Sequence, residues 1–165
     1  MLLTLLEQRF HLKVHQDLQP LPVYALTAPK GVGKLKKATG EEHAGCIRTP
    51  KDAAFTYTCH NTTMAQFVDK LPNVQGAAGY FNHPLVDLTG LKDSYDFEFT
   101  WSPPARFRGR GMLQSSGSAP AAQDPVSGYT IFEAIDKQLG LKLAEQKYPM
   151  PVVVVDHVDR TPSDQ

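Results

Sequence analysis

FHLKVHQDLQPLPVYALTAPKG (residues 10–31) and LGLKLAEQKYPMPVVVVDHVDR (residues 139–160) follow one pattern. Each gives Leu-Lys-apolar, a polar stretch, Pro-x-Pro-Val and an apolar run. When residue n is set against n+129, five positions between 5–26 and 134–155 are identical: Leu12/Leu141, Lys13/Lys142, Pro20/Pro149, Pro22/Pro151 and Val23/Val152. Background frequencies give about one or two. The apolar positions stay in register as well, Leu6 with Ile135, Phe10 with Leu139, Val14 with Leu143 and Tyr24 with Val153. Each copy opens on an amphipathic helix. In the second, Thr130 and Glu133 have capping-box spacing, and Gly140 stands where a helix end takes a left-handed residue. His11 fills that slot in the first copy, and histidine is enriched at positive φ. Leu12–Val14 and Leu141–Leu143 then predict a short strand. Pro-x-Pro suits a strand start or a sheet edge, and VYALTA and VVVVDHV predict a second strand. The pattern predicts an α-β-β unit near each end, its two strands antiparallel neighbours. Two such units together bury helix faces that neither covers alone. The competing account is convergent patterning of two helix–hairpin units.

Working inward, Thr63-x-x-Gln66 is another capping-box pattern, opening a helix with Met64, Phe67, Val68 and Leu71 on one face and Pro72 at its end. HPLVDLT and YDFEFTW predict two strands around GLKDS; Tyr95, Phe97, Phe99 and Trp101 alternate with polar residues, so one face is aromatic and the other wet. The expectation is a single α+β domain over 1–165, a mainly antiparallel sheet with helices on one face. Repeat units span about 1–29 and 130–158, a helix–hairpin unit 62–102, and mobile loops about 30–50 and 103–128. Helices are expected near 2–10, 63–71 and 130–139, and strands near 12–16, 22–28, 84–88, 95–101, 141–145 and 151–157.

Lys plus Arg and Asp plus Glu both count 17. A neutral chain argues against general nucleic-acid binding, which needs a basic excess. No apolar run approaches the roughly 20 residues of a membrane span. MLLTLLEQRF lacks the basic start and small-residue cleavage site of a signal peptide; Leu2, Leu3, Leu6 and Phe10 share one helix face instead. That helix starts at Met1 with no cap, as in a fragment of a longer protein. Leu5 widens its apolar surface beyond one seam, which predicts a homodimer through the first helix. Cys46 and Cys59, 13 apart, fit either a disulfide of an exported protein or two buried thiols.

LLTLLEQRFHLKVHQDLQPLPVYALTAPKGVGKLK, TMAQFVDKL, PLVDLTGLKDSYDFEFTW and IFEAIDKQLGLKLAEQKYPMPVVVVDHVDRTPSDQ resemble a large paralogous family of exported proteins from soil Acidobacteria and their relatives, a domain of unknown function. The blocks stand in the family's order, and the chain looks like the C-terminal portion of a member. The resemblance implies an extracytoplasmic protein, periplasmic or secreted, and carries over no catalytic residue. In an exported protein Cys46 and Cys59 are expected to be bonded.

Several residues invite chemistry. KGVGK lacks the full phosphate-loop spacing, with Leu35 where Ser or Thr would meet magnesium, and reads as a basic turn. His11, His15 and His157 are metal candidates, brought together if the first and last strands are neighbours. Adjacent Asp156 and His157 point to opposite faces, so one at most joins such a site. Ser116, with Ser115 and Ser118 beside it, could act as a nucleophile with His157 as base and Asp87 as orienter, but no G-x-S-x-G elbow is present. Arg106, Arg108 and Arg110 alternate around Phe107 and read as a solvated loop. Asn61-Thr62-Thr63 fits a glycosylation sequon whose threonine the helix cap already explains. No cofactor motif stands out beyond the weak divalent-metal set. The sequence thus predicts a binding or scaffold module without a catalytic centre; the alternative is a small ester or lactone hydrolase, metal-assisted or serine-based.

Overall fold

A computed structural model of the chain describes residues 2–40, 43–107 and 128–162. Ser115, Ser116, Ser118, Arg108 and Arg110 lie outside these residues. The elements in chain order are α1 (Leu2–Phe10), β1 (Lys13–Thr27), β2 (Lys36–Lys37), β3 (Gly45–Lys51), β4 (Ala54–Thr63), α2 (Met64–Lys70), β5 (Leu85–Asp87), β6 (Ser94–Trp101), α3 (Ile131–Ala134, continuing as a π-helix over Ile135–Leu139) and β7 (Lys142–His157). The class is α+β. The strands form two sheets, β5-β1-β7 and β2-β6-β4-β3. β3–β4, β4–β6 and β2–β6 are antiparallel, while β1–β5 is parallel. The chain divides into two compact units, a terminal one (Met1–Pro22 with Lys147–Gln165) and a central one (Val23–Gln146).

The central unit contains the core. Along β6 and β4, Tyr95, Phe97, Phe99, Trp101, Tyr57 and Cys59 bury one face of the four-stranded sheet. Phe67 meets Phe97 and Phe99 edge-on, 5.1 and 5.8 Å between centroids. Ile131, Ala134, Ile135 and Leu139 join the same cluster, as do Leu26, Leu141 and Leu143. Both capping boxes form: Gln66 N–H donates to Thr63 Oγ1 at 3.2 Å, and Glu133 N–H to Thr130 Oγ1 at 3.2 Å. The π-helix puts Gln138 against β6, where its amide donates to Thr100 O at 2.8 Å and accepts from Thr100 N–H at 2.9 Å. One side chain thus supplies the two bonds a neighbouring strand would have made.

Three expectations need correction. The α-β-β unit does not form: each copy is one helix followed by one long strand, β1 or β7. Pro-x-Pro removes ladder donors without ending the strand, because proline's fixed φ is compatible with an extended edge. β5 and β6 are not a hairpin, since β5 pairs with β1 while β6 pairs with β4 and β2. Residues 45–51, read as loop, are β3, hairpinned to β4 through Asp52 at φ 53.

The two copies nevertheless hand over from helix to strand alike. His11 and Gly140 are both left-handed, at φ 49 and 74. Leu12 N–H reaches Leu6 O and Leu141 N–H reaches Ile135 O, each at 3.4 Å. Burial differs between them. Leu141 and Val23, in the central unit, are fully buried, but Leu12 and Val152, in the terminal unit, are only half-buried. The paired positions differ because, among the described residues, only the central unit has a core.

Candidate functional site

The histidines named from sequence gather in the terminal unit, on the end of α1, on β1 and on β7. Each meets a carboxylate. His15 Nδ1–H donates to Asp156 at 2.8 Å. His11 Nδ1–H donates to Asp159 Oδ2 at 2.7 Å, and His157 Nε2–H to Asp159 Oδ1 at 3.0 Å. Asp159 N–H also donates to Phe10 O at 2.8 Å, so this residue ties the chain after β7 to the end of α1. Asp159 was missed in the sequence; its place two residues beyond His157 was the available signal. The Asp156 carboxylate beside His15 raises the imidazole's pKa above its ordinary value, and His11 holds Asp159 below the ordinary carboxylate value. All five side chains are about half exposed. Among the described residues no group of three His, Cys, Asp or Glu is placed to hold a metal ion.

The other candidates scatter. Asp87, in the central unit, accepts from Thr89 N–H at 2.9 Å and from its hydroxyl at 2.7 Å, stapling a turn. KGVGK docks on the end of the π-helix: Lys34 N–H donates to Leu139 O at 3.0 Å and Lys34 Nζ to Lys137 O at 2.7 Å, neutralising helix-end carbonyls. Asn61 lies in a bulge at φ 44, its N–H donating to Asp96 Oδ1 at 2.7 Å, and Thr63 caps α2. Arg106 donates to Ala53 O at 3.2 Å. Cys46 and Cys59 stand opposite each other on β3 and β4 and are joined in a disulfide.

Surface chemistry separates the units more sharply than any of these clusters. Every buried residue among those described belongs to the central unit, between Val23 and Leu143. The terminal unit buries none, yet it carries Leu2, Leu3 and Leu5 on α1, Leu18 and Leu21 on β1, and Val153, Val155 and Val158 on or just after β7, all exposed. Gln16, Asp17, Leu18 and Pro151 line a shallow, open depression of about 270 Å³ there, smaller than the roughly 300–1,000 Å³ of enclosing ligand pockets. The arrangement offers a surface rather than a cavity.

These features define an α+β protein with a packed central unit and an apolar, histidine-bearing terminal surface. The chain belongs to the family of proteins of unknown function DUF3738, which matches residues 1–158. Comparison with curated proteins and with solved structures gives no match.

Proposed function

We propose that the protein is a binding or scaffold module that works outside the cytoplasm and contacts its partner through the terminal unit. One observation carries this reading: among its described residues that unit buries no side chain while exposing eight large apolar ones. Apolar surface of that kind in a folded protein is a contact surface. The Cys46–Cys59 disulfide supports an oxidising compartment. The leucines of α1 extend the surface beyond the ribbon of β1 and β7, in keeping with assembly through the first helix.

The test uses bis-ANS, a dye that lights up on exposed apolar surface, together with a panel of chromogenic esters and lactones. The dye is expected to bind, Leu2→Glu/Leu5→Glu to weaken it, and the esters to stay intact. Ester or lactone turnover that is lost on His157→Ala in a still-folded protein would overturn the reading in favour of a hydrolase.

A further inference from the structure

β7 is an edge of its sheet, and among the described residues no strand pairs with its outer side. An edge strand presents a row of unpaired N–H and C=O groups, which proteins guard with short length, prolines and charges. β7 runs for 16 residues. Pro149 and Pro151 guard its middle and Asp156 guards its end. Between them Val152–Val155 carry neither proline nor charge, and Val153 and Val155 are 65% and 54% exposed. The other edge of the ribbon, β1 before Val23, is interrupted by Lys13, Asp17, Pro20 and Pro22.

We propose that a second copy of this chain covers this edge, β7 pairing antiparallel with β7 of its partner about a two-fold axis. Val-Val-Val-Val reads the same in both directions. Centred on Val153, antiparallel self-pairing sets Val153 against Val153 and Val152 against Val154, with Val155 facing Pro151, and it sends the two Asp156 carboxylates to opposite ends of the paired segment. β-Branched cross-strand pairs are among the favourable ones, and like charges face to face are not. The same patch meets itself, so the assembly closes at two copies. The proposal rests on the reading of the terminal unit as a contact surface, and names its occupant.

Both native cysteines are in the disulfide, so Val153→Cys adds the single free thiol. On mild oxidation this variant is expected to form a covalent dimer on a non-reducing gel. Ile47→Cys, equally exposed on an edge strand of the central unit, is expected to stay a single chain. Light scattering from micromolar to near-millimolar concentration should give the wild type twice the chain mass. Val153→Lys/Val155→Lys should give the single-chain mass with the near-ultraviolet circular dichroism of the aromatic core unchanged. A wild type that stays monomeric throughout, or a dimer untouched by the double lysine variant, overturns the proposal. If a monomeric wild type binds bis-ANS and the lysine variant does not, the second copy is refuted while the contact surface stands. A monomer that ignores the dye refutes both.

Discussion

His15 and Asp159 show how much a single exposed contact sets in this protein. The pKa of His15 is raised, chiefly by its hydrogen bond to Asp156. What that pair contributes is therefore fully present below the ordinary histidine value of 6.5 and is lost as pH rises through the higher folded-state value. Asp159 is shifted the other way, so its contribution is present above 3.8 and is lost as pH falls through its lower folded-state value. The clasp between α1, β1 and β7 should be tightest between those limits. Proton NMR of the His15 ring is expected to titrate above the ordinary value and to fall back on Asp156→Asn; an unchanged midpoint would show that the pair does not form in solution. A buried residue gives the opposite kind of test. Ser102 is fully buried, its hydroxyl has no partner among the described residues, and Gly128 packs against it. Ser102→Ala removes that unpaired hydroxyl and should leave stability unchanged or slightly raised. A loss above about 1 kcal/mol in urea titration would mean the hydroxyl is bonded.

Turns and helix ends decide whether the elements of the central unit stay together. Gly33 sits at φ 58, and a Cβ there would come within 2.7 Å of Leu139 O. Gly33→Ala therefore has to move the KGVGK turn off the helix end, and chemical denaturation should show a loss of at least about 1–2 kcal/mol from the left-handed backbone alone. Gln138→Ala leaves the Thr100 N–H and C=O without their partners, at roughly 1–3 kcal/mol for each group that stays buried. Replacing both cysteines with serine opens the β3–β4 loop and should cost about 3 kcal/mol by the chain-entropy estimate. The legible elements were those whose signal is local. Thr63/Gln66 and Thr130/Glu133 announce helix starts because a capping box uses only neighbouring backbone. YDFEFTW announces a strand because one face is aromatic. FTYTCHNT carries the same alternation over its first half, with Tyr57 and Cys59 inward and Thr56 and Thr58 less buried, but the bulge before the buried Thr62 breaks the period and weakens the signal. Strand partners were not legible: β5 joining β1 rather than β6 is set by packing between distant segments.

Across the whole chain, the repeat foretold a shared helix-to-strand turn but not the fate of each copy. Leu12 and Leu141 occupy matching positions, yet one lies in a unit with a core and the other in a unit without one. Sequence pattern records which residues are apolar, while burial depends on how much other apolar surface folds against them. For the same reason the histidines and Asp156 could be named but not Asp159, whose pairing depends on where the chain leaves β7 beside α1. The central claim is that the terminal unit is a contact surface supported by a separately stable core. Amide hydrogen exchange, followed by mass spectrometry at low and high protein concentration, tests it most directly. Peptides from Ala54–Thr63 and Ser94–Trp101 are expected to be protected at both concentrations. Those covering Lys147–His157 should exchange fast when dilute and slow as concentration rises. Equal, strong protection of Lys147–His157 at every concentration would contradict the account, because it would show a terminal unit that needs no partner.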